Sequence, residues 1–190
     1  KLTSLQHLDL SDNNFSGTFP TQIQSLTELT YLFLNNNHYL TGPLPEWIST
    51  MTKLVDLSLK QTSRDGPLPS SLAELTDLVF LGLDDKDLAG QIPTELGTMS
   101  ELQLLILNRN SLTGPVPQQL LELPILSLLT LDRNSLTGSV NDLCMDSDPT
   151  NTTLTILQTD CLEVTCGCCT KCCDDANPAV CGEDFVYDGT

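Results

Sequence analysis

The chain has 190 residues, of which 38 are leucine, with 5% aromatics and a formal net charge of -17. Such acidity, without any cluster of Lys or Arg, argues against nucleic acid or an anionic membrane surface as partner. No apolar run approaches the ~18 residues of a membrane span, and 39% hydrophobic residues argues against a disordered chain.

Composition changes near residue 144. Residues 1–143 hold 35 leucines and no cysteine, whereas 144–190 hold three leucines and all eight cysteines. Two units are predicted on those bounds. The first repeats itself. Leu5, Leu29, Leu54, Leu78, Leu102 and Leu126 open six segments spaced by 24 or 25 residues. Each runs L-x-x-L-x-L, and most continue x-x-N-x-L-x-G-x-x-P. The first has Leu5, Leu8 and Leu10, then Asn13, Phe15, Gly17 and Pro20. The fifth has Leu102, Leu105 and Leu107, then Asn110, Leu112, Gly114 and Pro117. The period-two L-x-L places its leucines on one side of a short strand. One repeat cannot bury that side alone, so neighbours must stack.

This pattern resembles the plant-type, 24-residue subclass of the leucine-rich repeat family over residues 2–143, with a poorer copy at 154–161. The resemblance implies an α/β-type solenoid, a leucine-rich repeat arc with a concave parallel β-sheet. It places short strands and helical turns on the convex side, at G-x-x-P stretches such as Gly17 to Pro20 and Gly90 to Pro93. It also implies that Asn13, Asn37, Asn110 and Asn134 bond backbone groups of the next loop, forming a ladder. Asn suits that task, because its side chain readily satisfies turn backbone. Thr62 and Lys86 replace it in the third and fourth repeats, and Arg64 replaces an apolar residue. Local distortion is expected around 60–66. The second repeat carries an extra residue within Asn35–Leu40, which predicts a small bulged loop. Lys1 begins near the end of a preceding repeat without a polar cap. The expectation is a fragment of something longer, or an edge covered by a partner.

The second unit is acidic. Its cysteines are Cys144, Cys161, Cys166, Cys168, Cys169, Cys172, Cys173 and Cys181. An even count beside a hydrophobic solenoid predicts a disulfide-rich C-terminal cap, within which roughly a hundred pairings are conceivable. Cys144 with Cys161 is the favoured pair, and adjacent cysteines should pair outward. The alternative is a thiolate metal cluster, since C-x-C and C-x-x-C spacings occur in zinc and copper sites. Against it, the ligands crowd into one eight-residue block and His7 and His38 are far away. The tail resembles the cysteine-rich ends of secreted and surface leucine-rich repeat proteins of diatoms and related algae. Two glycosylation triplets start at Asn14 and Asn151. Together these features predict an extracellular or cell-surface glycoprotein.

No motif of a familiar active site is present, so no catalysis and no cofactor are expected. Asp84, Asp85 and Asp87 cluster, which is explained by a solvated loop or, less simply, a calcium site. The outward positions of the strands are more informative. One column holds His7, Tyr31, Asp56, Phe80, Leu104 and Leu128; the next holds Asp9, Phe33, Ser58, Gly82, Ile106 and Thr130. Exposed strand positions are normally polar. Tyr31, Phe33, Phe80, Leu104, Ile106 and Leu128 therefore predict an apolar contact patch, with Asp56 among them. Lys60, Arg109 and Arg133 form a polar rim with Asp12, Asp84, Asp85 and Asp132. The bland alternative places Leu104, Ile106 and Leu128 under the tail. Trp47 is expected to pack on the convex side.

The function predicted is recognition of a protein or peptide, less readily a glycan, through the concave face. The alternative is a structural subunit of an extracellular coat, adhesive or filament, self-assembling through the solenoid ends. Similarity to plant repeat proteins also suggests an extracellular inhibitor, which would use the same face.

Overall fold

The computed structural model describes residues 2–85, 87–140, 154–160, 164–165 and 171–173. Each repeat contributes two strands. The first gives β1 (His7–Asp9) and β2 (Ser16–Gly17), the second β3 (Tyr31–Phe33) and β4 (Tyr39–Leu40). The third gives β5 (Asp56–Ser58) and β6 (Asp65–Gly66), the fourth β7 (Phe80–Gly82) and β8 (Asp87–Gly90). The fifth gives β9 (Leu104–Ile106) and β10 (Ser111–Pro115), the sixth β11 (Leu128–Thr130) and β12 (Ser135–Ser139). Beyond them come β13 (Ile156–Asp160), β14 (Val164–Thr165) and β15 (Lys171–Cys173).

The odd-numbered strands form one parallel sheet of eight, in chain order. Its register steps by one repeat, so Leu8, Leu32, Leu57, Leu81, Leu105, Leu129 and Leu157 stand in a single column. Leu32, Leu57, Leu81, Leu105 and Leu129 are completely buried. Each buried Leu contributes about 2 kcal/mol, and it does so only because a neighbouring repeat covers it.

The chain returns on the opposite side through five 3-10 turns: Thr21–Ser25, Glu46–Thr50, Ser70–Glu74, Thr94–Thr98 and Gln118–Glu122. Proline precedes every one, with φ between -63° and -74°. Its ring pre-sets the turn, and its carbonyl accepts the first bond, as from Ile23 N to Pro20 O at 3.0 Å. The apolar residue this turn carries inward (Ile23, Ile48, Leu72, Leu96) closes the core opposite the leucine column. Adjacent turns sit close: a Cβ on Gly97 would clash with the backbone carbonyl of Gln119.

Asn37, Asn110 and Asn134 do form rungs, but toward the preceding repeat rather than the next one, whereas Asn13 donates to Leu10 O and Ser11 O of its own repeat. Asn37 Nδ2 donates to Leu10 O at 2.9 Å and to Leu34 O at 3.0 Å, while its Oδ1 accepts from Phe15 N at 3.1 Å. Asn110 joins Leu83 O and Leu88 N in the same way, and Asn134 joins Leu107 O and Leu112 N. The reason is geometric: the loop that carries each Asn lies above the end of the previous strand. Thr62 stands in the Asn position of the third repeat, and its hydroxyl donates to Leu59 O within its own repeat. Lys86 lies outside the described residues.

The expected distortion around 60–66 is real and confined to the second face. There the short strands form a pair, β2–β4, and a separate sheet of five, β6-β8-β10-β12-β14. Only the single bridge Thr41–Ser63 joins them. The long sheet passes this point unbroken. Arg64 is buried at the seam, its guanidinium 4.2 Å over the Phe19 ring. Nη1 donates to Thr41 O at 3.2 Å, while Nε and Nη2 have no hydrogen-bond partner among the described residues. Burial lowers its pKa to about 10, with Asp65 opposing. Phe19 also meets Trp47 edge-on, centroids 5.6 Å apart, so Trp47 is packed as expected.

The predicted disulfide-rich cap falls on residues outside the described ones, apart from Cys172 and Cys173, which are described by backbone alone on β15.

An Arg64→Leu substitution restores the repeat pattern and removes an incompletely paired buried charge. Stability in urea is expected to rise by about 1–3 kcal/mol. A fall would show that the ring contact and the Thr41 bond outweigh the burial cost.

Candidate functional site

The outward side of the long sheet divides into two halves. At the first strands the side chains are accessible: His7 is exposed, and Tyr31 and Phe33 are half-buried. These three rings form a row. His7 meets Tyr31 edge-on with centroids 4.4 Å apart, and Tyr31 meets Phe33 at 6.5 Å. Edge-to-face packing of this kind holds each ring in one orientation.

Further along, the expectation of an exposed apolar patch fails. Phe80, Ile106 and Leu128 are 3%, 4% and 3% exposed, and they form a hydrophobic cluster of their own, separate from the main core. Half-buried Leu104 packs against it. The physical cause is visible at Gly82, where a Cβ would lie 2.8 Å from Phe80 Cζ. Gly82 leaves open the space that the Phe80 ring occupies, and the branched side chains of β9 and β11 close over it. Asp56 and Ser58 are buried too.

The rim residues lie at the edge of this sheet. Lys60 Nζ stands 3.5 Å from Asp84 Oδ2, and Arg109 Nη1 stands 3.3 Å from Asp85 Oδ2. Arg133 is half-buried. The acids of the 84–87 stretch thus serve basic side chains of neighbouring repeats. Among the described residues no group of three or more His, Cys, Asp or Glu is placed to hold a metal. Asn14 is exposed; Asn151 lies outside the described residues.

Sequence reasoning missed one regularity. Asp12, Asn36, Gln61, Asp85, Arg109 and Arg133 occupy the same place in successive repeats, and all are left-handed, with φ from 51° to 56°. The signal was available: Asp and Asn tolerate that conformation, and they hold three of the six positions.

At the far end, Asp132 is 1% exposed and its Oδ1 has no hydrogen-bond partner among the described residues. Nearby, Asp160 accepts from the backbone N–H groups of Arg133, at 2.8 Å, and Asn134, at 3.1 Å. Burial, then the Asp160 charge, raises the Asp132 pKa to about 6.

Comparison with known proteins places this geometry. Residues 4–26 and 28–51 match the Leucine Rich Repeat family model. A probable leucine-rich-repeat receptor-like serine/threonine-protein kinase of Arabidopsis thaliana is 44% identical over 57 residues, 30% of this chain and 5% of that protein. The Arabidopsis receptor kinase HAESA, solved with the peptide hormone IDA and the co-receptor SERK1, superposes with a TM-score of 0.76 at 30% identity. That match covers 85% of this chain and 26% of the receptor chain. A plant ice-binding protein superposes with a TM-score of 0.69 at 32% identity, covering 82% of this chain and 47% of that one.

The chain carries leucine-rich repeats of the plant type. It is homologous to the repeat ectodomains of plant receptors, and it spans only a small part of the curated relatives it matches. The matches fall on repeats, which are not catalytic. In the described residues no helix is long and apolar enough to cross a membrane.

The buried acid makes stability depend on pH. The folded state holds the Asp132 proton up to about pH 6, whereas an unfolded carboxyl releases it near 3.8. Folding stability should therefore fall as pH rises between those values and level off above them. Asp132→Asn should flatten that slope and raise Tm at neutral pH; equal slopes in both proteins, measured by thermal scans, would contradict the assignment.

Proposed function

We propose that the chain is an extracellular recognition module that binds a protein or peptide through the outward side of its long sheet. The observation that carries this reading is the half-exposed row His7, Tyr31 and Phe33 on β1 and β3. Aromatic side chains already held in place bury large area on binding at small entropy cost. HAESA, which shares this solenoid, is solved with a peptide on a repeat ectodomain. Similarity to receptor ectodomains and an exposed Asn14 in a glycosylation triplet support an extracellular site.

The mechanism is docking without chemistry. Tyr31 and Phe33 are the apolar anchors, and the Lys60–Asp84 pair supplies the polar border. Phe80, Ile106 and Leu128 stiffen the sheet from within their own cluster and do not supply contact area. Leu104 and Arg133, both half-buried, extend the border toward the later repeats.

Panning a displayed library of random dodecapeptides on the protein tests this. Selected peptides should lose at least about tenfold in affinity on Tyr31→Ala/Phe33→Ala, with Tm nearly unchanged. Peptides indifferent to that double variant would move the site elsewhere. By contrast, Phe80→Ala should cost about 3–5 kcal/mol of folding stability in urea, as a buried ring does.

A further inference from the structure

A cleft of about 390 Å³ opens on the loop edge of the solenoid, away from the aromatic row. Its walls carry His38, Gln61, Ser63, Asp85, Asp87 and Arg109. Two irregularities of sequence meet there. The extra residue of the second repeat displaces His38 and Tyr39 outward, and Thr62 interrupts the Asn ladder. Ser63 Oγ donates to His38 O across the gap. The cleft therefore lies beside the seam between the two short-strand sheets.

Three of its residues, Gln61, Asp85 and Arg109, are consecutive members of the left-handed column. A non-glycine residue held left-handed is strained, and Gln and Arg lack the local bonding that eases Asn and Asp. The same three side chains are also organised. Asp85 Oδ2 accepts from Gln61 Nε2 at 3.3 Å and from Arg109 Nη1 at 3.3 Å. Asp87 stands exposed at the start of β8. Donors and acceptors thus alternate around one opening, on backbone that is fixed.

We infer that this edge cleft is a second binding site, for a neutral oligosaccharide, with Arg109 and Asp87 facing its hydroxyls. A sugar hydroxyl both donates and accepts, so a guanidinium beside carboxylates satisfies it in both directions. Among the described lining residues two carboxylates stand against one guanidinium, which disfavours an anion such as a uronic acid or a phosphate. None of those described residues is apolar, so a hydrophobic peptide residue finds no anchor on them.

Calorimetric titration of the full chain with cellohexaose, laminarihexaose and mannohexaose tests the site, with galacturonohexaose as the anionic control. At least one neutral sugar should bind saturably with a Kd of about 10⁻⁴–10⁻³ M. Asp87→Ala and Arg109→Gln should each weaken it about tenfold or more, while Tyr31→Ala/Phe33→Ala leaves it unchanged. Should Arg109→Gln impair folding, exposed Asp87 carries the test alone. Three results overturn the inference: no saturable binding of any neutral sugar below about 10 mM, preference for galacturonohexaose, or affinity indifferent to Asp87→Ala. Sugar binding lost on Tyr31→Ala/Phe33→Ala would place it on the sheet and overturn the separate site.

Discussion

Everything in this protein depends on one constraint: a repeat cannot bury its own leucines. The strand is three residues long, so alone it is unstable. Stacking in register solves both problems at once, because the parallel hydrogen bonds and the leucine column come from the same neighbour. The proline-led turns follow from that requirement, since each must deliver one apolar residue opposite the column within the repeat interval. The Asn rungs follow as well, satisfying loop carbonyls that the strands leave behind.

Most of the framework was legible because it is periodic. Leucine phase located the strands, and G-x-x-P located the turns. Even the irregular third repeat announced itself through Thr62 and Arg64. What failed was legibility in the direction normal to the chain. Alternation tells which side chains leave the core, but it does not tell whether they then reach water. Phe80 points outward and is buried nonetheless, because Gly82 two residues away lacks a side chain. That is a relation between particular neighbours, and no period encodes it. The Asn rungs were found with the wrong direction for a similar reason: spacing identifies the residue but not which loop lies beneath it.

The likeness to a hormone receptor and to an ice-binding protein, at comparable superposition, shows how little the solenoid alone says about what is bound. The repeat supplies a rigid ruler with one side-chain position per strand. The columns that leave the pattern here are the aromatic row at one end and the left-handed column at the edge.

The seam beside Arg64 has a further consequence. A stacked solenoid behaves as a one-dimensional chain of coupled units, whose cooperativity is only as strong as its weakest coupling. Between the second and third repeats the short-strand ladder shrinks to one bridge, while the long sheet and the bonds from Arg64 to Thr41 O and Ser63 to His38 O continue across the joint. The short strands at this joint then open more readily than the long sheet that runs unbroken beside them.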